Sequence, residues 1–256
     1  MRLEINFKII HKNIGIITNS FILKDLIQDG LALSNLHYKK KNKETIKFIL
    51  KASHGYVEAF DAFLKLINKI LTAAYNDYFI FHGSAFSFNG KGILVLGKSG
   101  SGKSSTCFFA GLFGAKILSD EPVIIERKTS KVIPFRYLIK ISNFNKNFSR
   151  YNFFIKHNFN QIVNHRNNYH ILKKGDLKNL GIELEYQPVP LKKIIFLETK
   201  KYDNLIHLIK HYILPKKELL KSLNNFIKEK EIVFVPHIIS DIKHKKKTKN
   251  LLRILR

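Results

Sequence analysis

Eight consecutive residues, Gly97-Lys98-Ser99-Gly100-Ser101-Gly102-Lys103-Ser104, fit the pattern G-x-x-x-x-G-K-[ST]. Such a run constrains the fold because it works only between a strand and a helix. Both flanks meet that demand. Ile93-Leu94-Val95-Leu96 is a short apolar run of strand character, and Cys107 to Phe113 carries apolar residues at helical spacing, with Gly114 suited to end the helix.

The residue types match the chemistry of holding phosphate. Gly97, Gly100 and Gly102 let the backbone turn tightly and present its N–H groups to anionic oxygens, and the helix N-terminus adds partial positive charge at the same point. Lys98, Ser99, Ser101 and Ser105 complete the nucleotide-contacting stretch. Lys103 is expected to reach the terminal phosphates of a nucleotide, and Ser104 to offer its hydroxyl to Mg²⁺.

At 256 residues and 45% hydrophobic composition, the chain has ample material for a core. We expect a mixed α/β segment over 1–75 packed on a nucleotide-binding domain over 76–256 that ends in helix. The formal charge of +26 points first to an anionic partner, but the basic residues are scattered as well as clustered. The accompanying excess of Lys, Asn, Ile and Phe is what an AT-rich coding sequence yields. No aromatic-interleaved basic motif is present, so nucleic acid is not the expected partner. Cys107 is the single cysteine, which excludes an internal disulfide and a multi-cysteine zinc site; its apolar neighbours suit a packing role. Neither a signal peptide nor a membrane-spanning apolar run is read, and a cytoplasmic location is expected.

Along the chain, strands are expected near Leu3–Ile10, Ile14–Thr18 and Thr45–Leu50, a helical patch over Phe21–Ile27, and an exposed turn at the lysine run Lys39–Lys43. Phe60, Phe63, Leu64, Ile67, Leu71 and Ala74 share one face of a helix expected over Val57–Ala74. Tyr78–Phe88 and Gly92–Leu96 read as strands joined by Asn89-Gly90, a dipeptide that favours a type I′ hairpin turn. The strand feeding the loop would then pair antiparallel with its predecessor. Lys116-Ile117-Leu118 reads as a strand delivering Ser119-Asp120-Glu121, with the two acids seventeen and eighteen residues beyond Lys103. One acid can serve a magnesium shell while the other takes a proton from an attacking hydroxyl. A solvated acidic turn is the alternative reading.

Residues 143–190 show weak periodicity, and His157, His165 and His170 lack partners at metal-site spacing. Lys192–Glu198 is a further strand, and a helix opening at Pro215 puts Leu219, Leu220, Leu223, Phe226 and Ile227 on one face. Glu231–Val235 is a short strand, and the basic block Lys243–Lys249 precedes a short amphipathic end.

His82-Gly83, the loop at Gly97–Ser104, Gly114 and Ser119-Asp120-Glu121 together resemble the catalytic core of the HPr kinase/phosphorylase superfamily, including its HPr-kinase-related branches. The resemblance runs without gaps from His82 to Glu121. It implies an α/β P-loop core of the HPr kinase/phosphoenolpyruvate carboxykinase type, with a mixed sheet and an antiparallel hairpin ahead of the loop. It also implies ATP and Mg²⁺ as cofactors, a hydroxyl acceptor on a protein, peptide or metabolite, and a homo-oligomer. By the same resemblance His82 matches the active-site histidine, Lys103 the phosphate-binding lysine, Ser104 and Asp120 the metal-binding positions, and Asp120 and Glu121 the paired aspartates, the second of which is the proton acceptor. Here that second acid is Glu121, so either it or Asp120 takes the role of base. No L-E-[IV]-R-G signature follows the acids; Ile133-Pro134-Phe135-Arg136 is similar instead to the related branches. A regulatory module that binds ATP without phosphotransfer is the rival expectation.

Overall fold

The computed structural model describes residues 3–9, 12–33, 46–50, 77–136, 139–142, 160–164, 167–172, 174–197, 213–214 and 220–235, with positions 59, 62 and 65–67. Contacts divide the chain into two compact units, Met1–Asn76 and Asp77–Arg256.

In the first unit, β1 (Leu3–Ile9) and β2 (Lys12–Thr18) form an antiparallel hairpin, and β3 (Ile46–Leu50) pairs parallel with β2. Helix α1 (Phe21–Leu33) lies between β2 and β3 in the chain. Ser20 starts it: its hydroxyl accepts the Leu23 N–H at 3.2 Å, while its own N–H donates to Thr18 Oγ1 at 3.1 Å. Ile14, Ile16, Leu23 and Ile27 are buried between sheet and helix. The helix runs six residues past the expected stop at Ile27. It absorbs Gly30, whose cost of about 1 kcal/mol within a helix is small enough for neighbouring turns to carry. Ala59, Ala62 and Lys65–Ile67 are helical, with Leu66 and Ile67 buried, while the rest of the helix expected over Val57–Ala74 lies outside the described residues.

The second unit is built on a ten-stranded mixed sheet. Its strands are β4 (Tyr78–Phe81), β5 (Ser84–Phe88), β6 (Lys91–Leu96), β7 (Lys116–Asp120), β8 (Val123–Glu126), β9 (Lys131–Ile133), β13 (Glu183–Leu184), β14 (Val189–Leu197), β15 (Ile213–Leu214) and β16 (Glu231–Val235). The order is β13-β7-β5-β6-β14-β9-β8-β4-β15, with β16 against β14. A second sheet, in the order β10-β12-β11, is formed by β10 (Ile139–Ser142), β11 (Asn160–Asn164) and β12 (Asn167–Leu172). Helix α2 (Lys103–Leu112) follows β6, α3 (Lys174–Asn179) precedes β13, and α4 (Leu220–Lys228) precedes β16.

The apolar run of β6 is buried from Gly92 to Leu96, as a strand covered on both faces requires. It pairs antiparallel with β5 and parallel with β14. Asn89 (φ 51°) and Gly90 (φ 72°) make the β5–β6 turn with two left-handed residues, as a type I′ hairpin does. The core beside these strands includes Phe79, Phe81, Leu94, Phe196 and Phe226, with the Phe79 and Phe226 rings 5.0 Å apart. Leu223, Phe226 and Ile227 are the buried face of α4.

Three expectations need correction. Tyr78–Phe88 is two strands, because the chain leaves β4, which pairs with β8 and β15, and enters β5, which pairs with β6 and β7. Residues 143–190, where periodicity is weak, contain β11, β12, α3 and β13; β11 pairs with its chain neighbour β12, while β12 also pairs with β10 and β13 pairs with β7. The strand expected over Lys192–Glu198 begins at Val189, where Val189 and Pro190 pair with β9. Lys39–Lys43, Asn143–Phe148, His157, His165, Glu198, Pro215–Leu219 and Lys243–Arg256 lie outside the described residues. Among the described residues, no helix is long and apolar enough to cross a membrane.

Candidate active site

Between β6 and α2 the chain forms a closed glycine-rich loop. Gly100 (φ 76°) and Gly102 (φ 93°) hold left-handed conformations that disfavour side chains. Gly97 is glycine for a different reason: a Cβ there would collide with the Ser101 hydroxyl and crowd Leu197 Cβ at 3.2 Å. The Ser101 N–H donates to Lys98 O at 3.0 Å. Lys103 Nζ donates to Gly97 O and Lys98 O, each at 3.1 Å, so its ammonium closes the loop from inside.

Two features of this loop suit an anion. Gly102 caps α2 without a side-chain hydrogen bond, leaving the positive end of the helix to backbone N–H groups. The Ser101 hydroxyl is fully buried and has no hydrogen-bond partner, a polar group that a phosphate oxygen would satisfy. Ser104 and Ser105 stand half-buried in the first turn of α2.

The acids arrive from β7. Asp120, its last residue, is buried, and one carboxylate oxygen accepts the Ser84 hydroxyl at 2.6 Å. Glu121 follows with φ 36°, and its N–H donates to Gly83 O at 2.9 Å. Its carboxylate oxygen Oε1 lies 3.0 Å from His82 Nε2 and 3.8 Å from Lys103 Nζ. His82 is half-exposed and Glu121 partly so, whereas Lys103 is buried. Burial pulls the Lys103 ammonium below its ordinary pKa of 10.5, against the opposing pull of Glu121 and Asp120.

The fold therefore brings His82, Lys103 and Glu121 within reach of one another, with Asp120 acting on Lys103 through its charge. Sequence reading missed Ser84, which fixes Asp120. Only the β5–β7 register, Ser84 opposite Asp120, reveals it. Among the described residues, no group of three or more His, Cys, Asp or Glu is placed to hold a metal. A hydroxyl and one or two carboxylates, completed by water and phosphate oxygens, is a donor set that Mg²⁺ accepts.

Cys107 is buried behind the acids, with Sγ 3.4 Å from Ala85 O, and burial raises its thiol well above the usual range. We expect it to react with a disulfide reagent such as DTNB only at the rate of unfolding. Labelling of the native protein within seconds would contradict this packing.

No family model matches the chain, and no curated protein matches it. Among solved structures, the HPr(Ser) kinase/phosphatase from Coxiella burnetii is similar over 69% of this chain and 90% of its own, at 13% sequence identity and a TM-score of 0.38.

Proposed function

We propose that this chain is an ATP- and Mg²⁺-dependent phosphotransferase of the HPr-kinase-like class, which moves the γ-phosphoryl group to a hydroxyl. One observation carries the reading: the loop lysine and the acid that follows β7 meet across 3.8 Å, so a phosphate-holding group and a proton acceptor share one point. Loop amides and Lys103 would stabilise charge on the transferring group. Ser104 and Asp120 would hold Mg²⁺, which when bound neutralises phosphate charge.

Glu121 is the base in this reading. Ser84 already occupies an oxygen of buried Asp120, whereas Glu121 is partly open to solvent and oriented by His82. The acceptor oxygen bonds to the γ-phosphorus, the bond to the β,γ-bridging oxygen breaks, and the acceptor proton passes to Glu121, leaving ADP.

The test is incubation of purified protein with γ-labelled ATP and Mg²⁺ against a fractionated cell extract, beside a Glu121→Gln variant. We expect a labelled acceptor with the unmodified chain and a loss of about 10²-fold or more in the variant. ATP binding without label in any fraction would replace this reading with that of a regulatory nucleotide-binding module.

A further inference from the structure

Arg136 is among the largest fully buried side chains, at 0% exposure. Its Nη1 donates to Ile117 O at 2.6 Å, Leu118 O at 3.2 Å and Glu185 O at 2.6 Å, and its guanidinium lies 5.1 Å from the Tyr186 ring centroid. Burial lowers its pKa to about 10, which leaves it charged at neutral pH. A charge placed there is costly unless its donors are used. It serves one strand above all, because two of the three acceptors belong to β7.

The register of β7 explains the need. Its pairing with β5 slips between Ala85 and Phe86, opposite Ser119 and Ile117, so Leu118 is the extra residue of a bulge. The Leu118 carbonyl is taken instead by the Phe135 N–H at 3.2 Å and by Arg136. Beyond the bulge, the buried Ser119 hydroxyl sits between the carbonyls of Phe135 and Pro122. Pro122 closes the turn that carries Asp120 and Glu121, and Gly83 O grips the Glu121 N–H from the other side. A non-glycine residue at φ 36° needs such restraint.

We propose that Ser119 and Arg136 are positioning residues, which clamp the β7 bulge and the turn after it so that the Glu121 carboxylate stays beside His82 and Lys103. The catalytic consequence rests on the phosphotransferase reading; the clamp itself is a property of the fold.

The experiment uses the full chain with Ser119→Ala and, separately, Arg136→Lys, which keeps the charge and loses the planar fork. Amide hydrogen exchange is read at Glu121, with Ile80 and Ile124 in the β4–β8 pair as references. We expect exchange at Glu121 to accelerate about tenfold or more while the references stay within about twofold. In the same variants kcat for MgATP-dependent transfer should fall about 10- to 100-fold, with affinity for a fluorescent ATP analogue nearly unchanged.

Unchanged protection at Glu121 in both variants would overturn the proposal, as would parallel loss at Ile80 and Ile124 in the Ser119→Ala protein, which would mark a purely global role. If Arg136→Lys unfolds the chain, Ser119→Ala alone decides. Lack of phosphotransfer by the unmodified chain would sink the phosphotransferase reading, and the exchange measurement would still decide the clamp.

Discussion

We expect Lys103→Met to lower the proposed phosphotransfer by about 10³-fold and to leave the fold in place. The lysine meets the carbonyls of Gly97 and Lys98 and the carboxylate of Glu121, so methionine removes the side-chain cation that these contacts hold inside the loop. Stability follows a different course from activity. The Lys103 pKa is lowered in the folded chain from 10.5, so its burial opposes folding while the group is charged in both states. That penalty fades as pH rises from the lowered value to 10.5, a window in which the unfolded chain binds more protons. The methionine variant never carries it. At neutral pH its melting temperature should therefore lie within about 4 °C of the unmodified protein's, because losing the bonds to the buried Gly97 carbonyl and the part-buried Lys98 carbonyl is offset by relief of the ammonium's burial cost. Urea titrations at pH 7.5 and pH 10 should show the unmodified chain gaining stability relative to the variant. Normal turnover by the variant would remove the loop from the mechanism.

Gly83→Ala should damage both stability and chemistry. A Cβ at this position would lie 2.8 Å from Val95 O and 2.9 Å from Leu96 Cδ2. The leucine can rotate. The Val95 carbonyl cannot move cheaply, because Val95 stands opposite Ser84 in the β5–β6 ladder. We expect about 1–3 kcal/mol of destabilisation, or roughly 2–10 °C in melting temperature. The shift also displaces Gly83 O, which anchors the Glu121 N–H, and a displacement of about 1 Å at the base should cost about 10²-fold in turnover. Gly90→Ala is the control: its φ of 72° strains any side chain, but a Cβ there meets nothing. Thermal melts and turnover of the two proteins separate the effects. Equal activity in both would show that Gly83 does not position the acid.

The loop and its flanks were legible because everything that defines them is contiguous. Glycines at left-handed positions, an apolar run before them and a helical run after them all lie between Ile93 and Gly114, and the Asn89-Gly90 turn declares itself from two residues. The antiparallel approach of β5 to β6 followed from that turn. The placing of His82, Lys103, Asp120 and Glu121 as candidates rested on their spacing together with a family resemblance.

Long-range pairing decided the rest. The break at His82-Gly83 arises where β4 and β5 join different neighbours in the sheet, a choice made by β7, β8 and β15 and invisible in Tyr78–Phe88 itself. Ser84 meets Asp120 across thirty-six residues, and Arg136 reaches Ile117 and Glu185 across nineteen and forty-nine. Local sequence encodes backbone conformation and a hydrophobic pattern, and these were enough to determine the glycine loop, the hairpin turn ahead of it and the buried apolar run of β6. Which polar groups face one another in the interior depends on sheet register and on a one-residue bulge, and the tertiary structure alone decided those.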